Sequence, residues 1–300
     1  MKIAITGGTG FVGQALTKAF LKNNHEVFIL SRKNLQTPEK GLHYVQWLTS
    51  GSKPEDSLTD IDVFINLAGE SLNSGRWTAD RKKRIIDSRV EATKEVIRIL
   101  AQLETKPSVL INASAVGYYG ISREKEFTEA DQEHGEDFLA KTVVTWEQEA
   151  LAAEKLGIRT VLTRFGIILD SQEGALPKMV LPYKLLAGGT VGSGKQWLSW
   201  VHIDDVVGLI QHAITNPSIK GPINTVAPRP VKMKEFGQTI AQVLNKPHWL
   251  PAPSFALKAL LGEMSILVLE GQKVLPQKAK DSDYVFAYNK LEDALTDILK

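Results

Sequence analysis

The sequence of 300 residues contains no cysteine, which excludes disulfide bonds and thiolate chemistry. It has no apolar run of the roughly 18 residues that indicate a transmembrane helix. Neither sign of charge dominates, because 36 basic and 34 acidic residues give a formal net charge of +2. The chain therefore lacks the excess of positive charge that typically attracts nucleic acid. These absences, together with a first strand predicted from residue 2 with no leader pattern before it, predict a cytoplasmic protein with a small-molecule substrate and no nucleic-acid or membrane partner.

The chain opens with a short apolar stretch that leads directly into a glycine-rich turn and then an amphipathic pattern. A strand, a glycine turn and a helix in this order predict a site for a dinucleotide pyrophosphate. Gly7 permits the tight turn, Gly10 lets the backbone approach the phosphates, and Gly13 lets the helix pack on the strand. An ordinary turn does not explain three glycines at a fixed step of three. The predicted contacts here are Gly7, Thr9, Gly10, Phe11, Val12 and Gly13.

Strand and helix patterns alternate through the first half of the chain and predict an α/β fold, a doubly wound parallel sheet of Rossmann type. Glycines and prolines interrupt the alternation at 167–200, and helical patterns dominate from about 249. We expect a dinucleotide-binding core at 1–165, whose sheet is rejoined by elements at about 201–228. Residues 166–200 and 229–300 are expected to form a smaller substrate-side lobe, with a helical module at 249–295. Ser254 and Asn289 are the expected N-caps of two helices in that module.

The residues after the second predicted strand bear on the choice of cofactor. A site for NAD places an acidic residue there to bind the ribose 2′-hydroxyl, whereas this chain has Ser31, Arg32 and Lys33. A hydroxyl and two cations suit a 2′-phosphate through charge-assisted hydrogen bonds. The sequence therefore predicts NADP, held in part by Ser31 and Arg32. A solvated basic turn is the alternative.

The glycine spacing, G-x-x-G-x-x-G rather than G-x-G-x-x-G, resembles that of the extended short-chain dehydrogenase/reductase superfamily. Residues 66–69, N-L-A-G, resemble the N-x-A-G turn that lines the adenine and ribose side of the cofactor in that superfamily. The carboxylate that follows this turn lies within reach of the ribose hydroxyls or the substrate, and a solvated carboxylate is the alternative. The predicted cofactor contacts in this segment are Leu67, Ala68, Gly69 and Glu70.

Further motifs resemble one uncharacterised family of atypical short-chain reductases, the NAD-dependent epimerase family, over residues 1–295. They are A-G-E at 68–70, R-W at 76–77, D-S-R-V at 87–90, N-A-S-A-V-G-Y-Y-G at 112–120, W-E at 146–147, G-x-G-x-Q-x-x-S-W-V-H-I-D-D at 192–205 and L-G-E-M at 261–264. The tail from about residue 249 resembles a C-terminal module peculiar to that family. The resemblance implies a short-chain reductase fold, bound NADP(H) and an epimerase-like activity.

Catalysis is where the sequence departs from the superfamily, whose members use Tyr-x-x-x-Lys and a serine. Lys141 occupies the lysine position, but Asp137 stands where the tyrosine belongs. The serine position is displaced by one residue, next to Ser114. Tyr118 and Tyr119 follow the fifth predicted strand and are candidate replacement phenols, with ring packing as the alternative. The candidate catalytic residues are Ser114, Tyr118, Tyr119 and Lys141.

Acidic residues stand at the start of two predicted helices, Asp137 in one and the pair Asp204 and Asp205 in the other. Carboxylates at a helix N-terminus cap it and complement its dipole. We interpret Asp137 in this way, with a general base of raised pKa as the alternative. His202 precedes the aspartate pair, but its position favours capping over a metal site, and no metal is predicted.

Arg76, Trp197 and Trp200 are the candidate substrate residues. Arg76 is suited to clamp an anionic group, and indole rings among glycines are suited to wall a cleft for a flat or sugar-like ligand. Structural packing is the alternative for both tryptophans. Arg89 fits an anion clamp or an ion pair equally well. Arg164 ends a buried strand, where a charge needs a partner.

Two classes of function remain open from these residues. The first is an NADP(H)-dependent oxidoreductase or epimerase that acts on a small substrate, with a sugar-like compound as one option. The second is an NADP(H)-binding regulatory or scaffold protein without turnover, because the Tyr-x-x-x-Lys motif is absent. A long helix predicted at about 78–103 suggests a homodimer by analogy with other proteins of this fold.

Overall fold

The computed structural model describes every residue from Met1 to Lys300. Its strands, in chain order, are β1 (Lys2–Thr6), β2 (Glu26–Ser31), β3 (Leu42–Gln46), β4 (Val63–Asn66), β5 (Val109–Ala115), β6 (Glu126–Phe127), β7 (Arg159–Phe165), β8 (Ile167–Leu169), β9 (Trp197–Leu198), β10 (Trp200–His202), β11 (Gly221–Thr225), β12 (Val231–Lys232) and β13 (Lys273–Val274). Its α-helices are α1 (Phe11–Lys22), α2 (Ala79–Gln102), α3 (Phe138–Ala150), α4 (Leu176–Lys184), α5 (Ile203–Thr215), α6 (Met233–Leu244), α7 (Ser254–Leu261), α8 (Ile266–Leu269), α9 (Gln277–Asp281) and α10 (Leu291–Leu299).

Seven of these strands form one sheet in the order β11-β7-β5-β4-β1-β2-β3. Every neighbouring pair in it is parallel. The chain first adds strands on one side of β1 and then crosses to the other side with β4. This reversal places a topological switch point at the carboxyl end of β1, where ligands of such sheets bind. The predicted Rossmann-type α/β fold is confirmed.

Residues of β1 show how the sheet is held between two helical layers. Ile3 and Ile5 join the hydrophobic core that contains side chains of α1 and α5. Ala4, between them, packs with side chains of α2 on the opposite face of the sheet. Alternate residues of a strand point to opposite faces, and a strand covered on both sides is apolar throughout. The uninterrupted apolar run at the start of the sequence follows from this burial.

A second core lies beside the sheet and contains side chains of α4, α6 and α10. Its centre is Trp200, whose side chain is 0% exposed and donates from Nε1 to the carbonyl oxygen of Arg229 at 2.9 Å. α4 was not expected, because Pro177 and Pro182 favour a break in this segment. Pro177 stands in the first turn, where its missing N–H costs nothing, while Pro182 lies inside the helix.

The end of the chain returns to the sheet and is fastened there. The carboxylate of Asp205, in the first turn of α5, accepts hydrogen bonds from the backbone N–H groups of Ala287 at 2.8 Å and Tyr288 at 3.0 Å. It also accepts one from the hydroxyl of Tyr284 at 3.1 Å. Asp205 therefore joins the C-terminal segment to the core, and burial raises the pKa of its carboxyl against the lowering effect of these bonds.

Several expected helix caps are wrong. His202 is the N-cap of α5, and its Nδ1 accepts from the N–H of Asp204 at 3.1 Å, so the aspartates stand in the first turn instead. The N-cap of α7 is Pro253 rather than Ser254. The N-cap of α10 is Lys290, one residue beyond the expected Asn289. No helix is both long enough and apolar enough to cross a membrane.

Candidate functional site

The glycine turn between β1 and α1 is shaped by close backbone contacts. A Cβ atom on Gly13 would lie 2.3 Å from the carbonyl oxygen of Gly7, and one on Gly7 would lie 2.8 Å from the carbonyl of Leu67. Gly7 also has φ +67°, a conformation that side chains disfavour. α1 begins at Phe11 with no side-chain cap and no acidic residue in its first turn. Its N-terminal N–H groups are therefore available to an anion.

The residues expected to hold a 2′-phosphate follow β2 at the same edge of the sheet. The hydroxyl of Ser31 is half-buried and accepts from the backbone N–H of Lys33 at 3.1 Å, which tightens the turn. Arg32 is exposed, and its guanidinium forms no ion pair or hydrogen bond. A free cation beside an ordered hydroxyl is the arrangement that a phosphate group requires.

The turn after β4 is tied to β1 by a buried polar network. The hydroxyl of Thr6 donates to Oδ1 of Asn66 at 2.6 Å and accepts from the N–H groups of Leu67 and Ala68. The amide of Asn66 also donates to Oδ1 of Asn112 at 2.6 Å, which links β4 to β5. These bonds fix the backbone of 67–69 next to the glycine turn. The two segments therefore adjoin at this edge of the sheet.

Glu70 lies just after this turn, but its carboxylate already has partners. It forms a close ion pair with Arg81, which is 6% exposed, and lies 3.8 Å from Nε of Arg84. Its backbone N–H donates to the hydroxyl of Ser88 at 3.0 Å. The expected contact of Glu70 with ribose therefore competes with a charged partner.

Arg89 is a half-buried cation beside the same turn, and it has no carboxylate partner. Its Nη1 donates to the backbone carbonyls of Glu70 at 3.1 Å and Ile85 at 2.8 Å. A Cβ on Gly69 would lie 3.2 Å from its Cγ. Burial, together with the charge of Arg81, lowers the pKa of Arg89 to about 10. Its guanidinium also lies 5.1 Å from the centre of the Trp146 ring, so carbonyl groups and an aromatic ring rather than a carboxylate surround a cation that is suited to an anion.

Ser114, at the end of β5, is buried and hydrogen-bonded within a network of charged side chains. Its hydroxyl donates to Oε1 of Glu147 at 2.5 Å, and its side chain is 2% exposed. Glu147, on α3, receives two hydrogen bonds of 2.8 Å from Arg164 at the end of β7. Burial opposes the charge on Arg164, but the bonds and charge of Glu147 outweigh it, and the pKa of Arg164 is raised. Arg164 thus has the partner that its burial requires.

The two tyrosines after β5 differ in their surroundings. The hydroxyl of Tyr119 is buried, accepts from Nη1 of Arg164 at 3.0 Å and donates to Oδ1 of Asn224 at 2.8 Å. Burial raises the pKa of Tyr119 to about 12, although the charge of Arg164 lowers it in part. The hydroxyl of Tyr118 is solvent-accessible and donates to the carbonyl of Gln132 at 2.8 Å. The Cζ of Arg164 lies 3.5 Å from the centre of the Tyr118 ring.

The structure does not bring Lys141 to this group. Its side chain is 63% exposed and lies 3.5 Å from the carboxylate of Glu136. Asp137 is the N-cap of α3, and its Oδ1 accepts from the N–H groups of Leu139 at 2.9 Å and Ala140 at 3.1 Å. The capping interpretation of Asp137 is confirmed. Among the four candidate catalytic residues, Ser114, Tyr118 and Tyr119 adjoin and Lys141 stands apart.

The three candidate substrate residues do not form one wall. Trp200 is fully buried in the second core, so the expectation that it lines a cleft is wrong. The ring of Trp197 is half-buried and lies 3.6 Å from Nζ of Lys232, and its Nε1 donates to the carbonyl of Arg123 at 3.0 Å. Arg76 is exposed and donates to backbone carbonyls of α7.

Glu147 is the residue of this region whose role sequence reasoning missed. The W-E motif at 146–147 marked the position, but its partners lie on β5 and β7, 33 and 17 residues away. Only the register of the sheet, which sets Ser114 beside Arg164, brings the three side chains together. No group of histidines and carboxylates is arranged to hold a metal ion.

A glycine turn at the switch point of a parallel sheet, with an uncapped helix behind it, defines a dinucleotide-binding protein of the short-chain reductase type. The chain belongs to the NAD dependent epimerase/dehydratase family, whose model matches residues 3–226. A domain of unknown function, DUF1731, matches residues 252–298.

Two comparisons support this assignment, and a third shows the same fold. The chain is 52% identical over 299 residues to the epimerase family protein YfhF of Bacillus subtilis (strain 168), which covers 100% of this chain and 98% of that protein. The crystal structure of human epimerase family protein SDR39U1 (isoform 2) with NADPH has a TM-score of 0.88 at 32% identity and covers 99% of both chains. The UDP-glucuronic acid 4-epimerase of Bacillus cereus, in complex with UDP-glucuronic acid and NAD, shares the fold, with a TM-score of 0.80 at 17% identity over 98% of this chain and 96% of that chain.

Proposed function

We propose that this protein binds NADP(H) and catalyses hydride transfer between the nicotinamide and a small carbonyl or alcohol substrate, as an oxidoreductase or an epimerase. The observation that carries the proposal is the glycine turn, whose backbone leaves no room for side chains and whose helix N-terminus is uncapped. The NADPH in the crystal structure of the human relative supports the same cofactor. When bound, the dinucleotide supplies or accepts the hydride, and the protein holds and orients it.

The order of the strands supports a proposed place for each cofactor contact along the dinucleotide. β2 lies on one side of β1 and β4 on the other. With the pyrophosphate over the glycine turn, Ser31 and Arg32 bind the 2′-phosphate at the β2 side. The turn at 67–69, which the resemblance assigns to the adenine and ribose side, lies on the β4 side of the glycine turn, with the guanidinium of Arg89 beside it. The cation of Arg89 then neutralises a phosphate of the pyrophosphate, which explains why it has no carboxylate partner.

Tyr118 is the proposed proton donor of this site. Its hydroxyl is accessible and bonded to a backbone carbonyl, whereas that of Tyr119 is buried between Arg164 and Asn224. General acid catalysis needs a group that reaches the substrate and exchanges its proton there. The hydroxyl of Tyr118 has the solvent access that the first condition requires, and the buried hydroxyl of Tyr119 does not.

A protein that binds NADP(H) without turnover is the second candidate, and a specific observation favours it. Ser114, Tyr119, Lys141 and Asp137 are each engaged in a structural contact. If Tyr118 also serves only to pack its ring, no group at this edge is free to move a proton. The fraction of such a protein that carries bound nucleotide would follow the concentration of NADP(H). A homodimer formed through α2 remains a prediction for either function.

The test is to measure NADPH and NADH binding by calorimetry and then to search for hydride transfer. NADPH deuterated at C4 is mixed with a panel of aldehydes, ketones and nucleotide sugars, and deuterium in the product is detected by mass spectrometry. Sugar products are also checked for inversion, which reveals an epimerase that retains its cofactor. Tight NADPH binding with deuterium transfer supports the enzyme. Tight binding with no transfer across the panel supports the second candidate, and no binding overturns both.

A further inference from the structure

α7 is unusual among the helices because none of its eight residues is buried. Leu257 and Leu261 are half-buried and lie one turn apart, so they define the face turned toward the protein. Phe255, at 78% exposed, and Leu260, at 67%, stand on the open side. A helix this short is not stable by itself in water and depends on tertiary contacts. The contacts that hold α7 lie at its two ends.

The C-terminal end of α7 is held by the cofactor side of the molecule. Nη2 of Arg76 donates to the carbonyl oxygens of Ala259 at 3.3 Å and Leu260 at 3.0 Å. The last carbonyls of a helix lack partners within it and carry its negative dipole, so a guanidinium is a favourable cap. One residue past the helix-ending Gly262, Glu263 forms an ion pair with Lys82 of α2. Both cations belong to the segment that follows the turn at 67–69.

The N-terminal end of α7 is held by the other lobe. Ala252 forms a parallel β-bridge with Val191, and its carbonyl accepts from the N–H of Gly192 at 2.9 Å. A Cβ on Gly192 would lie 3.1 Å from the hydroxyl oxygen of Ser254. The segment 252–263 therefore runs from the loop at 188–194 to the loop at 70–78. It crosses from the substrate-side lobe to the edge of the sheet that carries the glycine turn.

The residues that flank α7 are suited to a change in its position. Pro251 and Pro253 stiffen the chain before the helix. Because proline has no backbone N–H, neither residue donates a hydrogen bond that would have to break when the helix moves. Gly262, after the helix, has φ +60° and open space where a Cβ would be. A glycine in this conformation permits a sharp change of chain direction that other residues resist. Gly262 is therefore the point at which the chain direction can change, while the bridge of Ala252 to Val191 anchors the other end of the segment.

We propose that segment 252–263 is a cover over the ligand cleft, latched by Arg76 on the end of α7 and by the ion pair of Lys82 with Glu263, and that a bound dinucleotide holds it shut. The proposal rests on the dinucleotide binding proposed above. Closure presses the face of Leu257 and Leu261 onto the uncharged part of the bound ligand and excludes water from it. The ligand surface beneath α7 is accordingly apolar or flat. Arg76 is then a positioning residue that acts through α7.

Hydrogen exchange and dissociation kinetics on the full-length protein test the cover. NADPH is expected to slow amide exchange in 252–263 and in 70–78, and to leave exchange in α10 unchanged.

Two variants each remove one latch. Arg76→Gln weakens the hydrogen bonds to the end of α7, and Glu263→Gln removes the ion pair with Lys82. The double variant is expected to release NADPH about tenfold faster, with an unchanged association rate, because each latch contributes a few-fold. Lys83→Gln, which removes an exposed cation of α2 paired with Asp87, is the matched control.

Each outcome separates the cover from its alternatives. If Arg76→Gln speeds release and Glu263→Gln does not, Arg76 contacts the ligand directly and the cover is overturned. Tight NADPH binding without slower exchange in 252–263 overturns the cover and leaves the proposed function intact. If the unmodified protein binds no NADPH, the proposed function fails and the cover fails with it. Circular dichroism of each variant confirms that the fold is preserved.

Discussion

The hydroxyl of Ser114 donates to Oε1 of Glu147 across 2.5 Å, at the position next to the serine that short-chain reductases use in catalysis. Glu147 is 5% exposed and Arg164 3% exposed, so the pair is closed to solvent. The serine thus satisfies a buried carboxylate instead of facing a substrate. Carboxylates this deep need every lone pair engaged. The departure from the Tyr-x-x-x-Lys pattern is therefore accompanied by a second change, which turns the serine into part of the scaffold.

Arg164→Met is predicted to destabilise the protein by about 3–5 kcal/mol, because it leaves Glu147 as an uncompensated buried charge. The free energy of unfolding in urea measures the loss. The double variant Arg164→Met with Glu147→Gln is expected to recover part of it, since the orphaned charge is removed as well. Arg98→Met, which breaks a partly exposed network with Glu55 and Glu95, is the control and is expected to cost less than Arg164→Met, because neither carboxylate is left fully buried. Equal losses for Arg164→Met and Arg98→Met would contradict the prediction.

The phenol of Tyr119 is predicted to stay protonated in the folded protein well above pH 10. Burial raises its pKa from 10.0 to about 12, so the unfolded state loses this proton first as the pH rises. The stability that Tyr119 contributes is therefore full below pH 10 and is lost as the pH rises through about 12. Urea unfolding at several pH values measures the slope, and Tyr119→Phe is expected to flatten it. A slope that Tyr119→Phe leaves unchanged would assign the alkaline loss to other groups.

The parts of the fold that local sequence determines were predicted closely. The strand, glycine turn and helix at the start follow from steric needs within a dozen residues. α4 was missed because Pro182 lies inside it, and only its packing in the second core outweighs the missing hydrogen bond. Trp200 was misjudged for a related reason, since glycine-rich surroundings in sequence say nothing of burial in three dimensions.

The candidate site also combines features that local sequence determines with features that depend on tertiary contacts. The backbone features of the glycine turn and the capping by Asp137 are local, and sequence spacing reveals both. The partners of Ser114, Glu70 and Arg89 come from other elements, and their identity depends on sheet register and on how α2 and α3 lie against the sheet. A single sequence contains the residues but not these distances. This is why the backbone geometry of the glycine turn was easier to predict than the surroundings of the candidate proton donors.

Arg32→Ala is predicted to weaken NADPH binding by about 1.5–3 kcal/mol, the range for a hydrogen bond to a charged group. The affinity for NADH should stay the same, because NADH has no 2′-phosphate for the cation to bind. Calorimetric titration with both nucleotides gives the comparison, and Lys40→Ala, an exposed lysine farther along the same loop, is the control. Equal weakening of NADPH and NADH would refute the assignment of Arg32 to the 2′-phosphate.

Tyr118→Phe is predicted to reduce turnover by about 10²–10⁴-fold, the usual contribution of a general acid, while NADPH affinity stays unchanged. The matched variant Tyr119→Phe removes a buried hydroxyl next to it and is expected to lower stability more than rate. Single-turnover hydride transfer, measured with the best substrate of the panel, separates the two effects. Full activity in Tyr118→Phe would exclude this phenol as the proton donor.

Arg89→Gln is predicted to weaken NADPH and NADH equally, by about 1.5–3 kcal/mol, because the pyrophosphate that the guanidinium is proposed to neutralise is common to both nucleotides. The same change should leave the free energy of unfolding without nucleotide unchanged or slightly higher. A half-buried cation without a carboxylate, close to Arg81, costs the free protein stability rather than adding to it. Lys94→Gln, an exposed change on the same helix, is the control. Lower stability with unaltered nucleotide affinity would instead make Arg89 a structural brace for the carbonyls of Glu70 and Ile85.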